Sequence, residues 1–468
     1  MAAMHNPTIQ NLFWFRRDLR LIDNVALTNA LKSGTTICCF IWDNTILDKL
    51  GKDNPRVIFI EKSLEQIKRQ LNLLGSDLMI LTGQSVAQIT QLVKLYNIQN
   101  VFANEDYEPF AIARDENIKQ ELAQLNVNFH LFKDQVIFAK REILNQQNKP
   151  YIVYTPYKNA WLKNLTPKHY QSSETTKFFA KLASLRPQEN YYQPSKNGFQ
   201  SQMTIEAGEN AAQDRLLEFK DKIDSYLTTR DYPDLNSTSF LGVDLRFGTI
   251  SIRQLVQFTL ACSSNGSETW LNELIWREFF SQILYNFPYV INSPFRPEYQ
   301  TLQYINDLEL FDKWCAGKTG YPIVDAGMRQ LNQTGFMHNR VRMICASFLC
   351  KDLLIDWRWG EAYFAKKLLD YDLASNNGNW QWCSSTGCDA QPYFRIFNPY
   401  LQSSKFDSTG NYIRKYVPEL ANLDNKLIHN PPTDDLLNAL DYPQPIVNHQ
   451  EQTKLAKIMF ANLKRIDQ

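Results

Sequence analysis

The sequence predicts a doubly wound α/β domain with a parallel sheet, followed by a larger all-α domain. Three observations carry that expectation. Short apolar runs of strand length alternate with helix-period stretches over residues 9–133. A polar connector over residues 134–203 then holds Pro150, Pro156, Pro167, Pro187 and Pro194 among Asn and Gln. Over 204–468 the apolar residues recur mostly at helical spacing.

The five strand-length runs are Asn11–Phe15, Thr36–Ile41, Leu78–Leu81, Val101–Ala103 and Val127–Phe132. Between the second and third, Asn54–Leu74 sets Val57, Ile60, Leu64, Ile67 and Leu71 on one helix face. Strands that alternate with helices pair in parallel and hold ligands beyond their C-terminal ends. No G-x-G-x-x-G or Walker glycine loop follows any run, so a conventional dinucleotide or NTP site is unsupported. The connector's composition suits a long segment running over the surface. Leu271–Leu284 and Asn339–Leu354 are the clearest helices of the last part.

At 468 residues the chain has room for two to four domains of roughly 150 residues. Hydrophobic residues at 44% and charged residues at 21% exclude global disorder and fibrous architectures. Fifty Lys and Arg against 49 Asp and Glu give +1, so nucleic-acid binding would need a local basic patch. The eight cysteines are scattered without C-x-x-C, and the six histidines form no ligand spacing, so no metal is expected and the thiols read as reduced. Neither a signal peptide nor about 18 uninterrupted apolar residues occurs, which leads us to expect a soluble cytoplasmic protein.

Seven of the ten tryptophans lie between Trp270 and Trp382. They read equally well as a large aromatic core or as faces for something flat. On a helix, Trp270, Glu273 and Arg277 share one stripe, with Trp276 beside Glu273. A carboxylate and a guanidinium there suit a cavity for a flat, polar, anionic group, although a solvated helix face reads similarly. Asn339, Arg342 and Met343 repeat the spacing. Asp370 and Asp372 precede Asn376-Asn-Gly-Asn-Trp380-Gln-Trp382; they are either turn formers or acceptors for the imide and ribose of a cofactor. Trp380 and Trp382 would point about 200° apart on a helix, so one can line a pocket while the other leads elsewhere. No Ser-His-Asp pattern is present, and hydrolysis has little support.

Phe15–Arg20, Trp270–Phe279, Gly317–Asp325, Phe336–Met343 and Asn376–Pro399 together resemble the photolyase/cryptochrome flavoproteins. The likeness covers nearly the whole chain in the same order and is closest to the class I bacterial DNA photolyases, which repair cyclobutane pyrimidine dimers. It implies the photolyase fold: an antenna-binding α/β domain (9–133), the connector (134–203), and a helical domain (204–468) that binds DNA and a U-shaped FAD, active as FADH−. Tyr226 and Thr238, Ser239, Phe240, Leu241 and Gly242 match the binders of the flavin phosphates. Trp270 and Arg277 match cofactor contacts. Asp370, Tyr371 and Asp372 match the segment facing the isoalloxazine and ribose, with Arg342 paired to Asp370 and Asn376 against flavin N5.

Glu273, Trp276, Asn339, Met343 and Trp382 match the pocket for the flipped lesion, and with Asn376 they form the expected catalytic set. A dimer has lost stacking and pairing, so everting it costs less than the few kcal/mol of a sound base. His338 is followed by Asn339, which argues against the histidine pair of (6-4) photolyases. DNA contacts are implied for Glu273, Trp276, Arg277, Asn339, Arg340, Gln402 and Lys405, and Lys351 is a further candidate cation. The implied activity is light-driven carbon–carbon lysis of the dimer by an electron from reduced FAD. The alternative is a blue-light photoreceptor of the cryptochrome branch without repair. UV-damaged DNA is the expected partner, in the nucleoid; no membrane or obligate protein partner is expected, and the chain is expected to be a monomer.

Two departures from the family pattern stand out. Trp380 and Trp357 match the inner members of the electron relay to oxidised flavin, but Tyr304 takes the outer tryptophan's place. Phe336 likewise replaces a tryptophan, as a packing change. Around the antenna, Phe110 and Ala111 stand where folate binders carry an Asn-Glu pair. Trp42, Asp43, Arg56, Asp106 and Glu108 would line a cleft for an 8-hydroxy-5-deazaflavin or a flavin rather than methenyltetrahydrofolate. An empty, vestigial cleft and a folate both stay open.

Overall fold

The computed structural model describes residues 9–201, 205–432, 437 and 439–463. The expected end of the connector, at 203 and 204, lies outside the described residues. Two compact units emerge. The first comprises residues up to Lys149, Lys158–Asp221 and Ser239–Glu278; the second comprises Pro150–Tyr157, Lys222–Thr238 and Phe279 onward.

The first unit is built on a five-stranded sheet of β1 (Asn11–Phe15), β2 (Thr36–Asp43), β3 (Leu78–Gly83), β4 (Asn100–Asn104) and β5 (Asn128–Phe132). The order is β3-β2-β1-β4-β5 and every pair is parallel. All residues of β1 and β2 are buried, as expected of strands covered on both faces. The chain reverses direction across the sheet between β1 and β4, which makes the crevice at their C-terminal ends the topological switch point. The flanking helices are α1 (Val25–Ser33), α2 (Pro55–Leu73), α3 (Ser85–Tyr96) and α4 (Pro109–Gln124). The start of α2 is set by Asn54, whose side chain accepts from Arg56 N at 3.1 Å, and by Pro55 in the first turn. Five strands and the long helix fall where the apolar periodicity puts them, within a few residues at each end.

The loop after β1 is fixed by buried charge. Arg20 and Arg253 both reach Asp134 at 2.7 Å, and Arg253 also pairs with Asp23 at 3.0 Å. Asp134 is held below the usual carboxylate range: burial pushes it up, but the two guanidiniums outweigh that.

The connector runs largely over the surface, as its composition suggests, but it is anchored: it forms the helix Tyr154–Asn164, and Tyr157 and Trp161 are each only 1% exposed. The Trp161 indole N–H donates to Glu278 Oε1 at 2.6 Å, which buries the ring beside a carboxylate that also accepts from Ile137 N and Phe138 N. The helix's buried anchors, Tyr154, Tyr157 and Trp161, have helical spacing, but three aromatic residues among Pro, Asn and Lys make too short a stripe to stand out.

Glu278 lies on α5 (Asn265–Asn286), which runs through the boundary between the units. The second unit then contains α6 (Leu308–Ala316), α7 (Pro322–Thr334), α8 (Asn339–Lys351), α9 (Trp357–Lys367), α10 (Leu373–Ser384), α11 (Pro399–Phe406) and α12 (His449–Leu463). Its core gathers Trp314, Tyr321, Leu331, Val341, Phe348, Trp357, Phe364 and Trp380 from α6 to α10. Among the described residues, no helix is long and apolar enough to cross a membrane, and no group of His, Cys, Asp or Glu has metal-binding geometry.

Candidate active site

The second unit contains a cleft between α8, α9 and α10. Asn339, Arg342, Met343, Asp370, Tyr371, Asp372, Asn376 and Trp380, all singled out from sequence, line it. Ala346, Phe364, Leu368, Ser375, Asn379 and Cys383 complete the wall, and no chemical pattern in the sequence marks those six.

Three local devices aim these side chains. His338 caps α8: its Nδ1 accepts from Arg340 N at 3.2 Å, and burial pulls its pKa down to about 4, so the ring stays neutral. Asp372 caps α10 by accepting from Ser375 N at 3.0 Å. Gly360 on α9 lets the Trp380 ring lie against the helix, since a Cβ there would collide with the ring edge and with Leu349 Cδ2.

Arg342 and Asp370 form the pair the resemblance implies, Nη2 to Oδ2 at 2.9 Å, and Arg342 Nε also donates to Met337 O at 2.7 Å. The other oxygen of Asp370, Oδ1, is buried without a partner. An unpaired carboxylate oxygen in a cleft awaits a donor, and the N–H of an imide supplies one. Asn376 is 8% exposed and donates through Nδ2 to Glu361 O at 3.2 Å, which leaves its carbonyl oxygen available. Behind it, Glu361 is pushed up to about 7 by burial, opposed by a hydrogen bond from Asn377. Sequence reading missed Glu361; its mark is a carboxylate between the buried Trp357 and Phe364 of one helix. The wall therefore fits an isoalloxazine: a flat aromatic side, an acceptor for an imide and an amide for a ring nitrogen.

Trp380 is 3% exposed while Trp382 is half-buried, the divergence that an i, i+2 pair on a helix requires. Asn339 is exposed, with Nδ2 3.9 Å from Met343 Sδ. In the first unit, Trp270 is 4% exposed and wedged between Phe219 and Phe258, with centroids at 4.9 and 6.0 Å. Arg277 donates to Gln135 O at 2.7 Å, and Glu273 and Trp276 are half-buried on the same helix. Tyr226 is buried, and Phe240 adopts φ 54°, in the turn where Leu241 N donates to Ser239 Oγ at 3.3 Å; Thr238 is half-buried and Gly242 exposed.

Among the candidate DNA contacts, Lys405 is exposed and Gln402 half-buried on α11. Arg340 is engaged, paired with Asp231 at 2.8 Å and lying over the Phe406 ring at 4.4 Å. Lys351 corrects the sequence reading: it is fully buried, donates to Ser384 O and Ser385 Oγ at 3.1 Å, and sits 3.7 Å from the Phe460 ring centroid. Burial lowers its pKa to about 7. It ties helix ends together and cannot meet a phosphate. Tyr304 is half-buried and packs on the core, and Trp357 is 1% exposed.

Of the antenna candidates, Trp42 and Asp43 end β2, Asp106 and Glu108 follow β4, and Arg56 lies in the first turn of α2. Trp42 is buried and meets Tyr192 at 6.4 Å; Tyr192 belongs to an open cleft also lined by Thr82, Tyr191 and Lys196. Asp43 accepts from Thr45 N and from Ser85 N and Oγ. Arg56 Nε donates to Asn54 Oδ1 at 3.1 Å. Asp106 and Glu108 both pair with Arg17, at 3.2 and 2.9 Å, and Glu108 pairs with Arg246 at 2.8 Å. Phe110 is 49% exposed on α4.

Residues 11–176 match the family model for DNA photolyase, and residues 270–462 match that for the FAD binding domain of DNA photolyase. A deoxyribodipyrimidine photo-lyase of Vibrio cholerae is 38% identical, over 97% of this chain and 99% of its own. The crystal structure of a class III photolyase from Agrobacterium tumefaciens superposes with a TM-score of 0.89 at 34% identity, covering 99% of both chains. An archaeal photolyase from Sulfolobus tokodaii, solved with two FAD molecules, gives a TM-score of 0.82 at 32% identity over 97% of this chain and all of its own.

Proposed function

The chain belongs to the DNA photolyase family, and we propose from that membership and from the cleft chemistry that it is a deoxyribodipyrimidine photo-lyase, a light-dependent enzyme of DNA repair. When bound, reduced FAD supplies the photoexcited electron that splits the cyclobutane ring and takes it back afterwards. The observation that carries the reading is the half-satisfied wall: Asp370 Oδ1 unpartnered beside the Arg342 pair, with the Asn376 carbonyl free.

The residues around the cofactor have separable tasks. Asp370 would receive the imide N–H, Arg342 holds that carboxylate in place through their 2.9 Å pair, and Asn376 would present its oxygen to the ring nitrogen. Trp270 and Arg277, with Tyr226 and the Thr238–Gly242 turn, hold the remainder of the cofactor. For the everted dimer, Trp276 and Trp382 supply stacking faces worth about 1–3 kcal/mol per base. Glu273 and Asn339 hydrogen-bond the base edges, and Met343 fills the irregular remainder of the lesion's outline. Lys405, Gln402 and Arg340 meet the strand, and the Arg340–Asp231 pair must open for that contact. Functionally, 9–133 serves the antenna, 134–203 connects, and 204–468 serves flavin and DNA, in a monomer acting on UV-damaged chromosomal DNA in the cytoplasm.

A second chromophore would lie along Trp42, Asp43 and Arg56, with Asp106 and Glu108 giving up their pairs with Arg17 and Arg246 where they meet it. A deazaflavin or flavin suits these residues better than a folate, because Phe110 and Ala111 offer a pterin no hydrogen bond. Extraction of the bound chromophores followed by mass spectrometry identifies it. The reading as a whole is tested by incubating the purified holoenzyme with a thymine-dimer oligonucleotide in blue light and in darkness. Repair only in light is expected; dimers that persist after chemical reduction of the flavin would favour the photoreceptor branch.

A further inference from the structure

Two independent observations in the second unit concern how an electron reaches the cleft. The first is Tyr304. Its hydroxyl oxygen is buried without a hydrogen-bond partner, and burial, with Cys350 and Asp356 adding to it, pushes its pKa far above that of an ordinary phenol. A phenol gives up an electron together with its proton, because its radical cation is a strong acid. Here that proton has no acceptor to enter.

The second observation is a chain of rings leading away from Trp380. Trp314 lies 6.2 Å from Trp380, centroid to centroid, and Phe364 touches both, at 6.0 and 5.0 Å. Trp314 in turn meets Tyr363 at 5.9 Å. Phe311 and Trp314 are three apart on α6, and Trp359 and Tyr363 are four apart on α9, so each helix presents an aromatic stripe to the other. Trp314 is fully buried, its indole N–H held by Cys345 O at 3.2 Å. Tyr363 is half-buried, and its hydroxyl donates at 2.6 Å to Oδ1 of Asn332, an exposed residue. Its proton therefore has a hydrogen-bonded exit to solvent, which Tyr304 lacks.

We propose that Trp380, Trp314 and Tyr363 form the relay that feeds electrons to oxidised flavin in this chain, with Tyr363 rather than Tyr304 as its terminus. The proposal rests on reading the cleft as the flavin site. One electron passes from Trp380 to the photoexcited oxidised flavin, Trp314 refills Trp380, and Tyr363 refills Trp314 while its phenolic proton passes by way of Asn332 to water. The net change is one electron from Tyr363 to flavin and one proton to solvent, leaving a neutral tyrosyl radical on Tyr363.

The test is flash photolysis with electron paramagnetic resonance on the holoenzyme carrying oxidised flavin, comparing wild type, Tyr363→Phe and Tyr304→Phe. Tyr363→Phe keeps the ring and loses the hydroxyl's contacts with Asn332 Oδ1 and Cys315 O, so flavin content and melting temperature serve as folding controls. We expect a tyrosyl radical in wild type and in Tyr304→Phe; in Tyr363→Phe the radical should be missing and photoreduction about tenfold slower. A tyrosyl signal that survives Tyr363→Phe, or one that disappears in Tyr304→Phe, overturns the relay. Failure of the purified protein to hold flavin would instead sink the reading of the cleft, so the two failures are distinct.

Discussion

The crevice at the ends of β1 and β4 and the cleft among α8, α9 and α10 hold similar residues to opposite ends. In the crevice the carboxylates are spent on neighbours: Asp115 on Arg16 and Arg114, Asp106 on Arg17, Glu108 on Arg17 and Arg246. In the cleft one pair, Arg342–Asp370, is left half-finished, with a buried oxygen waiting. Full pairing stabilises a fold against the cost of burying charge. Partial pairing gives up some of that stability to hold something that arrives later. Substitutions in the first region should therefore cost folding, and substitutions in the second should cost binding.

The largest effect is expected at Asp134, which serves two buried guanidiniums. Asp134→Ala should lower unfolding free energy by about 3–5 kcal/mol, measured by urea denaturation. A smaller loss would mean that the arginines find other partners and that the contrast is weaker than drawn. Glu278 comes next. Burial pushes its carboxyl up to about 7, against donors from Ile137, Phe138 and Trp161. The native state then keeps a proton that the unfolded chain has released. Stability should fall by about 3 kcal/mol as pH rises from about 4.5 to about 7, and Glu278→Gln should remove that slope. Asp370→Asn reports on the cleft: flavin dissociation should rise about 10- to 100-fold, with little change in melting temperature. Equal losses of flavin and of stability would erase the distinction. The smallest change belongs to Lys405→Ala, which should reduce the slope of log affinity for DNA against log salt by about 0.9.

Elements and chemistry were legible in the sequence to different depths. Buried parallel strands write themselves as apolar runs, so β1 to β4 could be read directly, while β5, an edge strand with no fully buried residue, shows itself only through Phe129, Leu131 and Phe132. The cleft residues could be picked out because polar groups interrupt tryptophan-rich helices. What a sequence hides is which partner spends a charge. Lys351 reads as a surface cation, yet its neighbours are Ser384, Ser385 and Phe460, remote in the chain. Arg340 reads as free, yet it is held by Asp231 from a loop far upstream. Tyr304 can be named as a departure, but whether its hydroxyl has a partner depends on packing and leaves no trace in the order of residues.

The absent side chain at Gly360 carries its own consequence. Because the Trp380 ring occupies the space that any larger residue would need, position 360 is closed to drift, and the cleft cannot be retuned by loosening α9. An engineer seeking to shift the colour or potential of a guest in this cleft should leave that contact alone and work on Ser375 or Asn379, which line the same space from a different helix.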